Sequence, residues 1–165
     1  GTPSLGTQIE PGIWELHDTA PAVYYVPVPL MVANANEALG QLRTFKPGAG
    51  AVVEAKITPG DSGLPIVRGE ITELEPNRLR AEITTPGPGL VVVAEAYYPK
   101  WRATLNGQSV DVLPANVMFR GIAVPGAGHH VIEMQLRPGR FWYLLPAYLL
   151  AFGLLLWAAF AHRRE

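Results

Sequence analysis

Residues 89–110 read GLVVVAEAYYPKWRATLNGQSV, and three features of this stretch decide the fold class. From Leu90 to Ala96 every position but Glu95 is apolar, on both faces of an extended chain, as expected for a central strand covered on each side. Further on, Trp101, Ala103 and Leu105 alternate with Arg102 and Thr104, the period-two pattern of a strand with one wet face. Asn106-Gly107 then separates two alternating runs, where a type I′ hairpin needs positive φ at both turn positions. A buried strand, an aromatic corner and a tight hairpin in succession predict antiparallel β-structure.

The same pattern extends outward. Leu79, Ala81 and Ile83 alternate with Arg80, Glu82 and Thr84, and His130, Ile132, Met134 and Leu136 oppose Val131, Glu133, Gln135 and Arg137. Proline and glycine punctuate these runs at Pro59-Gly60, Pro86-Gly87-Pro88-Gly89, Pro125-Gly126 and Pro138-Gly139. One helix is expected to interrupt them, capped by Asn34 with Glu37 completing a capping-box-like pair. Ala35, Ala38, Leu39 and Leu42 share one face of it, and it ends before Pro47. The expected fold is therefore mostly β: a β-sandwich of jelly-roll or Ig-like type, with about eight short antiparallel strands and one short helix. It occupies residues 13–138, after an irregular N-terminal segment at 1–12.

Beyond it, Phe141 to Ala161 reads FWYLLPAYLLAFGLLLWAAFA, without a charge or an amide. As a helix rising about 1.5 Å per residue, these 21 residues would extend roughly 31 Å, close to the bilayer hydrocarbon core. A transmembrane helix over 139–161 and a cytoplasmic tail at 162–165 are expected. Two arginines precede the span and two follow it, so charge does not orient it. The size of the preceding domain against the four-residue tail places the domain outside the cytoplasm. Because no leader precedes the domain after Gly1, the chain reads as the end of a longer membrane protein.

Charge and composition exclude several classes. The chain of 165 residues carries 13 Lys and Arg against 14 Asp and Glu, which gives no field for a nucleic-acid backbone. With no cysteine, disulfides and thiolate zinc sites are impossible. No G-x-S-x-G elbow is present, and the adjacent His129 and His130 point to opposite faces of a strand, so they do not share a metal. Glu73 and Glu75 share a face in the manner of a solvated surface. Thus no catalytic residue, cofactor or metal ligand is identified. The candidate contacts are Tyr97, Tyr98 and Trp101, as a stacking platform for sugar rings, with Asn116 and Arg120 either as a polar pair for an anion or a sugar hydroxyl or as an ordinary loop Asn and an Arg paired to a neighbouring strand's carboxylate. Filling the corner of the core is the competing role for these aromatics.

From Val91 onward the order of motifs resembles the C-terminal end of the YfhO-like family of bacterial membrane proteins. The matching positions are Tyr97, Tyr98, Pro99 and Trp101, then Asn106-Gly107, Ala115-Asn116, Phe119-Arg120, Val124-Pro125, His130 and Pro138, followed by the span. Lys100 stands where the family has glycine. The resemblance implies a polytopic bacterial protein related to membrane glycosyltransferases that use a polyprenyl-phosphate sugar and act on cell-envelope polymers. Its catalytic carboxylate would lie in an early extracytoplasmic loop among N-terminal helices outside this chain. On that reading the chain is a non-catalytic extracytoplasmic accessory domain with the last transmembrane helix. Its partners would be the lipid bilayer, the remaining helices of the parent and a candidate envelope glycan. A single-anchored carbohydrate-binding module and a ligand-free docking domain are the alternatives.

Overall fold

The computed structural model describes residues 6–11, 13–16, 21–43, 48–137 and 145–154. Its centre is β8 (Gly89–Ala96), the strand expected from the apolar run. It is flanked on one side by β3 (Val23–Val26) and on the other by β12 (Phe119–Val124), both antiparallel. Leu90 to Val93 are fully buried, with Val91 and Val93 in one apolar cluster and Leu90 and Val92 in another. β-Branched side chains suit this position because both faces of the strand are packed.

The expected sandwich of two separate sheets is corrected by the hydrogen bonding. Eleven strands form one open sheet, in the order β10-β9-β13-β7-β6-β3-β8-β12-β11-β5-β4. One half contains β6 (Val67–Glu75), β7 (Arg78–Thr85), β9 (Trp101–Leu105), β10 (Gln108–Val110) and β13 (Gly128–Leu136). The other half contains β3, β8 and β12 with β4 (Leu30–Met31), β5 (Val52–Val53) and β11 (Leu113–Ala115).

The joint between the halves is β6, whose Val67 to Gly69 pair with β3 while Glu70 to Glu75 pair with β7. At Gly69 a Cβ would stand 2.7 Å from the Glu82 carbonyl oxygen and 2.8 Å from Ile83 Cβ, so the crossing is closed to any side chain. Both halves nevertheless contribute to one core: Leu79, Ile83, Trp101 and Met134 pack with Val23, Val91 and Ile122. Two separate sheets would leave edges exposed at this corner, whereas a shared strand keeps the backbone groups paired.

The hairpin reads as expected: Leu105 pairs with Gln108, and Asn106 and Gly107 carry φ of 51° and 81°. In α1 (Ala35–Leu42) the Glu37 amide donates to Asn34 Oδ1 at 3.0 Å, and the Ala33 amide donates to Glu37 Oε2 at 2.9 Å. Ala38 is buried and Leu42 half-buried against Val32 and Val52, but Leu39, expected on the same face, is exposed. Eight residues give too few turns to bury a wide stripe on a two-residue strand. Within the N-terminal segment expected to be irregular, Gly6–Glu10 is a strand, β1, paired antiparallel with β2 (Ile13–Leu16) as a separate two-stranded sheet.

Of the apolar run Phe141 to Ala161, residues 145–154 are helical and each is exposed. Residues 138–144 and 155–165 lie outside the described residues. No described helix is long and apolar enough to cross a membrane.

Candidate functional site

Four of the sequence-predicted contacts, Tyr97, Tyr98, Trp101 and Arg120, fall at the end of the sheet where β8 gives way to β9. The Trp101 amide donates to the Tyr98 carbonyl at 3.0 Å and the Tyr97 amide donates to the Met118 carbonyl at 2.7 Å, which fixes the aromatic corner against the β11–β12 turn. From this corner Trp101 turns inward and is 7% exposed. Between Phe119 and Arg120 the register with β8 shifts, so that Phe119 faces Ala96 and Arg120 faces Val93. That irregularity directs Arg120, 5% exposed, over the indole.

Its guanidinium lies 3.7 Å from the Trp101 ring centroid, and its Nε donates to the Ala96 carbonyl at 2.9 Å. Burial pulls this guanidinium below the ordinary arginine range, and the nearby Glu95 carboxylate acts in the opposite direction. The pair lines a recess of about 250 Å³, together with Leu74, Pro76, Leu79 and the carboxylates Glu75 and Glu95.

Asn116 is engaged elsewhere. With φ of 48°, it accepts from the Val52 amide through Oδ1 at 2.8 Å and donates through Nδ2 to Tyr24 Oη at 2.8 Å. The Met118 amide returns to the Asn116 carbonyl at 2.8 Å around Val117, whose φ is 68°. This is a γ-turn of the rare positive-φ kind, and its strain is offset by Val117 packing beside α1. Burial raises the Tyr24 phenol above its ordinary value and the Asn116 bond opposes that shift. Burial alone raises the Tyr25 phenol, which donates to the Pro88 carbonyl at 2.8 Å.

Of the five residues, then, the fold brings Trp101 and Arg120 together, leaves Tyr98 54% exposed and Tyr97 half-buried, and commits Asn116 to internal bonds. Stacking a sugar needs an open ring face. Trp101 is buried under a cation instead.

The two histidines also separate. His129 Nε2 lies 3.4 Å from Glu82 on the surface, while His130 is buried, with Nε2 3.1 Å from both Thr85 Oγ1 and the Gly126 carbonyl. Asn106 accepts from the Val131 amide through Oδ1, which turns its Nδ2 toward His130 Nδ1 at 3.4 Å. The network therefore assigns the proton of His130 to Nε2. This histidine joins the β9–β10 turn to the β12–β13 turn. Among the described residues no group of three or more His, Cys, Asp or Glu is placed to hold a metal ion.

A second feature of the same end was missed by sequence reasoning. Register sets Arg78 of β7 and Arg102 of β9 on either side of Gln135 of β13. With Arg137, these arginines line a cleft of about 570 Å³ whose remaining wall includes Thr104, Ser109 and Glu133. Each arginine sits at an outward position of an alternating run, but which strands lie abreast is a matter of topology that local pattern does not carry. No family model, no curated protein and no solved structure matches this chain.

Proposed function

We propose that the chain is a non-catalytic extracytoplasmic accessory domain and membrane anchor of a polytopic bacterial membrane protein of the YfhO-like, glycosyltransferase-related kind. The reading rests on the motif order from Tyr97 to Pro138 and on one structural observation. Strand β13 leads out of the core toward a run whose described part, residues 145–154, is a helix exposed on all sides. Its side chains include Leu145, Leu149, Leu150, Phe152 and Leu154, large apolar groups left 36–67% exposed. Water is a poor solvent for such a helix, and a bilayer or neighbouring helices of a parent protein would bury it at roughly 25 cal/mol per Å². The polar side chains of the β-domain support an accessory role, since Arg120, Asn116 and His130 all hold strands or turns of this domain.

Orientation is tested with a cysteine introduced into the chain, which has none of its own. Ser62→Cys lies on an exposed turn. In cells producing the full-length parent, a membrane-impermeant maleimide should label it before lysis. Labelling only after permeabilisation would place the domain on the cytoplasmic side and end this reading.

A further inference from the structure

We infer that the cleft between Arg78, Arg102 and Arg137 is a binding site for the phosphate of an anionic phospholipid headgroup. The inference rests on the anchoring reading above. Arg137 follows the last residue of β13, and its amide donates to the Lys100 carbonyl at 3.1 Å while the Leu136 amide donates to the Asn77 carbonyl at 2.9 Å. The exit of the chain is thereby pinned between the β6–β7 turn and the Tyr98 corner. Four Cα steps separate Arg137 from Phe141, at most about 14 Å of extended chain. On that reading, a span beginning at Phe141 would hold this end of the sheet against the headgroup layer, which adds roughly 5–8 Å beyond the hydrocarbon on each side.

The charge of the cleft suits a phosphate. Its lining holds three arginines and one carboxylate, Glu133, already shared by Arg80 at 3.4 Å and Arg78 at 4.0 Å, and Arg78 also pairs with Glu73 at 3.7 Å, so the free charge comes from Arg102 and Arg137. Arg102 and Arg137 are exposed and enter no ion pair among the described residues. The planar fork of arginine matches phosphate oxygens in a bidentate manner, and the exposed Ser109 adds a hydroxyl donor on the same wall. Lys100, also exposed, adds charge beside the exit. An anchored domain meets such headgroups at a high effective concentration, so the site needs only modest intrinsic affinity.

The test uses the full chain and two separate readouts. Retention in phosphatidylcholine vesicles through an alkaline carbonate wash reads the anchor alone, and a chain that washes out overturns the anchoring reading. In detergent micelles, short-chain phosphatidylglycerol is then titrated while the amide and arginine Nε–H resonances of residues 102 and 137 are followed. Saturable shifts are expected with phosphatidylglycerol, absent with short-chain phosphatidylcholine. They should weaken about 25-fold in Arg102→Gln/Arg137→Gln, taking roughly fivefold per surface arginine. Equal shifts with both lipids, or an unchanged titration in the double variant, overturn the cleft while leaving the anchor standing. Saturation by inorganic phosphate at the same concentration overturns the headgroup assignment, since a free anion would then be the ligand.

Discussion

The guanidinium of Arg120 stands 3.7 Å from the centroid of the Trp101 indole, linking a strand from each half of the sheet across one end of the core. A desolvated cation–π contact contributes about 2 kcal/mol and a hydrogen bond from a charged donor about 1.5–3 kcal/mol, with partial overlap. Arg120→Met is therefore expected to destabilise the domain by about 2–3 kcal/mol in urea unfolding of the full chain in detergent. Arg120→Lys should recover part of this, because it keeps the charge and loses the Nε bond to Ala96. A Met variant as stable as the parent would mean the pair contributes nothing.

The burial of Trp101 also bears on carbohydrate recognition. Its emission, isolated by difference against Trp101→Phe, should stay constant when envelope oligosaccharides are added. A saturable shift would show that the ring opens to ligand and would restore the platform reading.

Alkaline pH provides a check on the two buried tyrosines. Their phenols titrate above the ordinary value of 10.0 in the folded chain, so the unfolded chain gives up these protons first. Stability should be level below that value and fall as pH rises from it toward the folded values. Tyr25→Phe should flatten part of the fall, at the cost of about 1 kcal/mol at neutral pH for the lost bond to Pro88. An alkaline limb identical in Tyr24→Phe and Tyr25→Phe to that of the parent would assign the loss to other groups.

Gly69 and Gly126 form a matched pair of tests. An added Cβ at Gly69 meets the Glu82 carbonyl and Ile83, whereas at Gly126 nothing lies within 4 Å. Gly69→Ala should cost several kcal/mol, in the range of about 2–4 for backbone displacement at a packed crossing. Gly126→Ala should shift stability by less than about 0.5 kcal/mol. Thermal unfolding of both variants would expose an error if the two fell together.

Asn116 couples geometry to hydrogen bonding. Asn116→Ala orphans the buried Val52 amide, at about 1–3 kcal/mol, and adds about 1 kcal/mol for a positive φ without a polar side chain. Asn116→Gly keeps the backbone and loses only the bonds, so it should lie between Ala and the parent. Reversal of that order in denaturant melts would remove backbone strain from the account.

Much of the fold was readable where short-range chemistry governs it. Asn106-Gly107, the Asn34 cap and the alternation of β13 each depend on residues a few positions apart, and all three stand in the structure as the residues predict. The joining of two halves into one sheet was not readable, because it turns on Gly69 meeting Glu82 and Ile83, and on β6 serving different neighbours along its length. Bulges hid more: the shift between Ile71 and Glu73 lets Leu74 share a face with Leu79, and the shift at Phe119 turns Arg120 toward Trp101. Aromatic content alone left a ligand platform and the filling of a core corner both open, and the approach of Arg120 from another strand shows what covers Trp101.

Strand β13 lies between β7 and β9, paired with Thr85 to Arg78 on one side and with Leu105 to Trp101 on the other, and it is the strand that leads toward the apolar run. Tension applied through that run would pull along the strand axis and load both ladders in shear, so many hydrogen bonds would have to fail together rather than one after another. Strand β13 is thus a mechanically stiff handle, and a pull transmitted along it would move the domain as a body before it unravelled its sheet.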